Sequence, residues 1–321
     1  MIKGSRCLVT GGAGFIGRHL VDELLTRGAD EIVILDSLRA GRDVAIATSA
    51  RCKHLTFQLS RNCLPALRPH LDGVDYVFHL AAVKHAHALQ DPDAALDANI
   101  DGTYCLARAA GEAGIERMVF ASSLYVYGRM QGPAFSETET PSPSTIYGIS
   151  KLAGEHLLRH CASRYGLAYN ALRYFFTYGP GYSAGTGYSS VITRTCERLL
   201  LGQPPVINGD GAQVFDYLYV GDVVDATIVA AESAAVNDVF NVGSGSGTSI
   251  ADLVSVIATI AGRHLPAIYG ERDETFGSSR VADIRKAAER LPWRPRTSLI
   301  EGVTMTYESL TSQRKQATGD R

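Results

Sequence analysis

An α/β fold built on a doubly wound parallel sheet is the class this sequence predicts, and three observations predict it. Short β-branched runs alternate with helix-length stretches from the N-terminus onward. The runs are apolar from end to end, as strands covered on both faces by crossover helices must be. A glycine-rich turn joins the first run to the first helical stretch, which is where such sheets hold their ligands.

Each element follows in order. "RCLVTG" reads as the first strand, residues from about Phe15 to Arg27 as the first helix, and "EIVILD" and "DYVFHLA" as further strands. A helix around Ala94 to Ala113 leads to the strand "RMVFASS", and a helix from about Ser150 to Tyr165 leads to "AYNALRYF". After Pro180 the texture changes to "GPGYSAGTGYSS", a helix "VITRTCERLLLG" and the turn-rich "PPVINGDGAQ", which marks the insertion of a second lobe. "DYLYV" with "GDVVDATIVAAE", and "VFNVGSG" with "SIADLVSVIATIAG", then return to strand followed by helix. The expected division is a large α/β domain over 1–174 plus about 214–242, and a smaller α/β lobe over about 175–213 plus 243–312. Residues 313–321 are polar and expected to be a disordered tail.

Composition narrows the function. Lys+Arg 31 against Asp+Glu 33 gives a net charge of -2, so there is no general attraction to nucleic acid or to an anionic membrane. The start of the chain lacks the sections of a signal peptide and no apolar run is long enough to span a bilayer, so the cytoplasm is the expected compartment. Six cysteines lie far apart with no CxxC, against both a zinc ribbon and a disulfide framework. His85 with His87, and His156 with His160, are spaced as some metal ligands are. No acid or cysteine accompanies them at a matching spacing, so they read as loop and helix-surface histidines and no metal is expected.

"LVTGGAGFIG" sets Gly11, Gly14 and Gly17 between the first strand and the first helix. Glycines there permit a tight turn, close approach of a pyrophosphate and close helix packing, while the helix N-terminus offers free amides. Asp36 ends the second strand at the distance the dinucleotide pattern requires. Its carboxylate can accept from a ribose diol and repels a 2′-phosphate, so the cofactor expected is NAD rather than NADP. Arg39 is the one nearby cation that could serve a phosphate instead.

"YGISK" places Tyr147 and Lys151 one helical turn apart on one face. A phenol is too weak an acid to serve as a base at neutral pH, and a neighbouring ammonium is expected to lower its pKa. Tyr147 then carries a proton and Lys151 supports it, with "SSLYVYG" upstream supplying the hydroxyls of Ser122 and Ser123.

With these motifs in hand, the chain resembles the extended short-chain dehydrogenases/reductases of the NAD-dependent nucleotide-sugar epimerase/dehydratase family, in the manner of UDP-glucose 4-epimerases. The likeness runs nearly the whole length, through "TGGAGFIG", "HLAA", "NIDGT", "SSLYVYG", "YGISK", "LRYFFTYGPG", "FDYLYVGDVVDA", "FNVGSG" and "RVADIRKA". It implies a Rossmann-type domain, with Ser123, Tyr147 and Lys151 as the catalytic residues and Ser122 structural. It further implies cofactor contacts from Phe15, Ile16, Leu80, Ala81, Ala82, Lys84 and Asn99 beside the glycines, Asp36, Tyr147 and Lys151. Gln58 and Leu59 stand where the family usually has an Asp for the adenine amine, a bond the Gln58 amide oxygen could accept.

The implied chemistry is oxidation of a sugar hydroxyl, usually O4. Tyr147 takes the proton while the carbon gives hydride to the nicotinamide, yielding a transient 4-keto sugar and NADH. Related dehydratases carry Asp and Glu just after the catalytic Ser or Thr, and related decarboxylases usually have Glu at the second of those positions. Here they are Leu124 and Tyr125. Return of hydride to the other sugar face needs no carboxylate, so C4 epimerisation is favoured, with a dehydratase or decarboxylase using Tyr125 as the alternative and a silent NAD-binding regulator as the second.

The expected partner is a nucleotide-diphosphate sugar, most simply a UDP-sugar. Its lobe departs from the family, because Phe176 replaces an Asn and Phe215 replaces an Arg. Arg272 and Arg280 are the remaining candidates for the diphosphate. Val191, Val206 and Asn208 are further substrate contacts by the same resemblance, as are Lys84, Ser123 and Tyr125. The apolar faces of "AALDANIDGTYCLARAA" and "KLAGEHLLRHCA" exceed what one core needs, and the family uses such helices for a four-helix interface, so a homodimer is expected.

Overall fold

Seven parallel strands form the central sheet, in the spatial order Asp238–Val242, Tyr169–Tyr174, Arg117–Ser123, Tyr76–His79, Arg6–Thr10, Glu31–Asp36 and Cys52–Thr56. The computed structural model describes residues 1–38, 49–128, 134–182 and 190–318, so Arg39 lies outside the described residues. The first strand sits between the second and the fourth, and the connections leave it in opposite directions. A crevice therefore opens beyond its C-terminal end, where Gly11 follows Thr10 and Leu80 follows His79.

Apolar strands explain why the sheet is covered twice. One face packs Leu20, Leu24, Ile34, Phe78 and Val119 with the helix Val220–Glu232, and the other packs Leu8, Val33, Val77, Phe120 and Leu158 with the helices Gly102–Ala113 and Ile146–Tyr165. All six cysteines are free, and only Cys52 is not buried.

Three boundaries differ from the sequence reading, each for a local reason. The long helix begins at Ile146 rather than Ser150 because Thr145 caps it, its hydroxyl accepting from the Gly148 amide at 3.0 Å. That extra turn is what carries Tyr147. The stretch from Ala94 to Ala113 is a short helix Pro92–Leu96, a π-helical turn Asp97–Asp101, and a helix Gly102–Ala113. The last helix, Leu299–Thr318, continues past residue 312, so the polar end foreseen as a tail is helical to that point.

The smaller lobe has its own core, in which Tyr178, Ile192, Leu199, Ile207, Leu253 and Val303 are buried together. Val214–Phe215 pairs with Thr248–Ser249 and Ser279–Arg280 in this lobe, rather than entering the large sheet. Buried Asp216 ties these pieces to one another. It accepts from the amides of Ser244 at 2.6 Å, Gly245 at 2.9 Å and Ala282 at 3.1 Å.

Candidate active site

The glycine turn has the shape an anion needs. Gly11 has φ +72°, and a Cβ there would come within 2.7 Å of the Ala81 amide nitrogen, so only glycine lets these two loops meet. The helix Phe15–Thr26 starts at Gly14 with no side-chain cap and no acid in its first turn, which leaves its first amides open. At the far side Asp36 is fixed by the amides of Ala13 at 3.0 Å and Leu38 at 2.7 Å. A cavity of about 470 Å³ runs between them, lined by Gly11, Gly14, Phe15, Asp36, Gln58 and Leu59, and also by Leu80, Ala81, Ala82 and Lys84. These donors and this length fit a dinucleotide: amides for the pyrophosphate, a carboxylate for the ribose. Gln58 turns its amide nitrogen onto the Leu59 carbonyl at 3.1 Å, which leaves its oxygen as the acceptor.

Asn99 departs from its expected role. It is buried in the π-helical turn and does not line either cavity. Its amide clamps the Val83 peptide, accepting from the nitrogen at 2.7 Å and donating to the oxygen at 3.0 Å, and donates to Ser150 Oγ at 3.1 Å. Ser150 Oγ donates in turn to the Tyr147 carbonyl at 2.8 Å. Asn99 therefore positions the Lys84 loop against the catalytic helix.

The second cavity, about 560 Å³, shares Gly11, Gly14, Phe15, Leu80, Ala82 and Lys84 with the first. Ile16, Gly17, Ser123, Tyr125, Tyr147 and Lys151 line it as well. Ser122 borders the cavity too, but its hydroxyl is committed behind the wall: it donates to Glu155 at 2.5 Å, and Glu155 holds Arg173 at 2.7 Å in a buried pair.

Lys151 has only 2% of its surface exposed, and its Nζ donates to the Ala121 carbonyl at 2.8 Å and lies 5.7 Å from the Tyr147 ring centre. Burial lowers its pKa to about 7. Tyr147 moves the opposite way to expectation. Burial pushes its phenol up to about 12, with the Ser123 hydroxyl opposing and the Tyr125 charge adding. In the free protein, desolvation of both groups outweighs their attraction, and each is held toward its neutral form.

The substrate side is aromatic. Phe176 and Phe215 meet at 4.7 Å between centroids, and Tyr217 lies 6.1 Å from Phe176. The Arg280 guanidinium sits 5.9 Å from the Phe215 ring centre and 5.5 Å from that of Tyr125, so it reaches into the cavity from the strand beside Phe215. Arg272 does not line the cavity; it stacks on Phe276 at 4.1 Å. Val191, Val206 and Asn208 do line it, and Asn208 is held by Asp273 at 2.9 Å.

The family model for the NAD dependent epimerase/dehydratase family matches residues 7–243. This chain belongs to that family. A putative UDP-glucose 4-epimerase of Methanocaldococcus jannaschii is 34% identical over 92% of this chain and 95% of its own. The UDP-glucose 4-epimerase of Mycolicibacterium smegmatis is 34% identical over 94% and 97%. The crystal structure of the Thermotoga maritima UDP-glucose 4-epimerase with UDP-glucose superposes with TM-score 0.89 at 33% identity, covering 96% of this chain and 99% of that one.

Within this family member, several lining residues escaped the sequence reading, four of which bear on the chemistry. His85, read as a loop residue, packs on Tyr125 at 4.8 Å and lies 6.5 Å from Tyr147 between ring centres, with Glu274 at 3.7 Å from its Nε2. Arg194 lines the cavity from the helix Val191–Leu200, and Tyr182 lines both cavities. Arg18 lines the cofactor cavity from the first helix. None stands in a motif; a cation one turn beyond Gly14 was the only available signal, and it concerned Arg18.

Proposed function

We propose that this protein is an NAD-dependent nucleotide-diphosphate-sugar epimerase acting at C4, with a UDP-sugar as its substrate and a homodimer as its working form. The observation that carries this is the wall Ser123–Leu124–Tyr125 opposite Tyr147 and Lys151. Those five positions join a hydroxyl, two phenols and a cation, and the acids that line the same cavity, Glu197, Asp273 and Glu274, all come from the smaller lobe. Bound NAD supplies a reversible two-electron acceptor at the sugar carbon. The chain's own work is with the proton and the orientation. Ser123 Oγ holds the sugar hydroxyl; Tyr147 acts as the base in its phenolate form, which the Lys151 charge and that of a bound nicotinamide would favour over the neutral phenol of the free protein, takes the hydroxyl proton to become a phenol, and returns it to the same oxygen. Presenting the opposite sugar face before the proton returns inverts C4.

Arg280 is the cation placed for the substrate diphosphate, with Arg194 across the cavity and the Phe176–Phe215 pair as an apolar floor. The two-domain division read from the sequence supports the same arrangement, with the cofactor in the large domain and the nucleotide in the small lobe. Leu89 (65% exposed), Leu96 (37%) and Ile149 (43%) leave apolar surface on the helices His85–Gln90, Pro92–Leu96 and Ile146–Tyr165, which supports the dimer. Among the described residues no helix is long and apolar enough to cross a membrane.

A second reading has one observation in its favour. Glu274, His85 and Tyr125 follow one another at the sugar end, and they offer an acid and base for elimination of water. One experiment separates the readings. Purified protein is incubated with UDP-, dTDP-, CDP- and GDP-sugars, and products are read by mass and NMR. An isomer of unchanged mass is expected, and loss of water or CO2 overturns epimerisation. Turnover that survives Tyr147→Phe overturns the catalytic assignment.

A further inference from the structure

Two cations line the cofactor cavity without an ion-pair partner among the described residues, Asp22 acting on Arg18 only through space. Arg18 stands on the first helix, half-buried, and its Nε is buried without a hydrogen-bond partner. Its Nη2 donates to the Gly181 carbonyl, and among the described residues no acid lies within ion-pair distance of it. Lys84 approaches from the loop after the fourth strand, partly open to solvent, with its Nζ 5.9 Å from the Tyr182 ring centre and likewise no ion-pair partner among the described residues. Burial depresses both, and the Arg18 charge depresses Lys84 further, so the two share one space.

The acids in that cavity are already committed. Asp36 accepts from Ala13 and Leu38, and Asp91 from the Ala94 amide at 2.9 Å. A guanidinium Nε buried without an acceptor is costly, and a second cation facing the same space adds repulsion to that cost. The cost is relieved by an anion that can accept from both, at the place where the first helix points its free amides.

We propose that Arg18 is a ligand of the cofactor's diphosphate, closing with Lys84 a two-cation clamp across the cofactor cavity. The Gly181 carbonyl holds one edge of the guanidinium and leaves Nε as the donor to the phosphate oxygen. This rests on the NAD reading above, and the test separates the two. Nucleotide-free full-length protein is titrated calorimetrically with NAD⁺, with ADP-ribose, which keeps the diphosphate, and with adenosine, which has none.

Arg18→Met should weaken NAD⁺ and ADP-ribose by about 10- to 100-fold, the worth of a charge-assisted hydrogen bond, and leave adenosine unchanged. Arg18→Lys should recover part of the loss, and the salt dependence of NAD⁺ binding should flatten in Arg18→Met. Equal losses for adenosine and NAD⁺ would mean a structural role and overturn the clamp, as would unchanged NAD⁺ affinity in Arg18→Met. Wild-type protein that binds none of the three overturns the NAD reading and the clamp together.

Discussion

Replacing Lys151 with Met should abolish turnover and yet stabilise the free protein, by an amount that depends on pH. The lysine is almost wholly buried, with one carbonyl acceptor, the Phe120 ring at 4.9 Å, and no carboxylate at ion-pair distance among the described residues. Burial lowers its pKa from 10.5 to about 7. Between those two values the unfolded chain binds more protons than the folded one, so wild-type stability rises with pH across that window. Below pH 7 both states are protonated and the whole cost is present. At about 1.4 kcal/mol per pH unit, the gap is worth about 5 kcal/mol. At pH 9.5 the folded lysine is neutral and roughly one pH unit of that gap remains, or about 1.4 kcal/mol.

Met carries no such term. Its advantage over the wild type should therefore shrink by about 3 kcal/mol from pH 6 to pH 9.5, whatever constant loss comes from the Ala121 bond. Urea denaturation of both nucleotide-free proteins at the two pH values measures it. Stability differences that stay the same at pH 6 and pH 9.5 would refute the burial argument.

Four further outcomes follow from the same geometry. Gly17→Ala would drive a Cβ into the Gly11 carbonyl, and should cost about 1–3 kcal/mol in urea unfolding while sharply weakening NAD⁺ in calorimetry. Glu155→Gln leaves the Arg173 guanidinium buried without its counter-charge and with one acceptor oxygen fewer, and should cost about 3–5 kcal/mol by the same denaturation, while the amide oxygen still accepts from Ser122. Tyr147→Phe should lower kcat by about 10²- to 10⁴-fold, with substrate affinity by calorimetry nearly unchanged; light scattering should give a dimer mass for the wild type, as proposed above, and a monomer mass for Leu89→Glu with Leu96→Glu.

The legible parts of the sequence were those in which the physics is local. The Gly11–Gly17 turn, Asp36 at the end of its strand, and Tyr147 one turn before Lys151 depend on spacing along a single element, and the structure brings all of them to the two cavities. Ser122 and Ser123 divide as strand alternation requires, one toward Glu155 and one toward the cavity. The helix start at Ile146 was missed at about Ser150, although its signal is local too: the capping Thr145 that precedes it.

What only tertiary structure decided is how distant segments meet. Arg280 rather than Arg272 enters the cavity because strand pairing sets Arg280 beside Phe215, while Arg272 lies down on Phe276. His85 meets Tyr125 and Glu274 only because the lobes close on each other, and Asn99 turns to the Val83 peptide because a π-helical turn rotates it there. The protonation of Tyr147 and Lys151 belongs to the same class. Spacing alone promised attraction between them, but burial is a property of everything packed around a group, and its cost outweighs that attraction in the free protein.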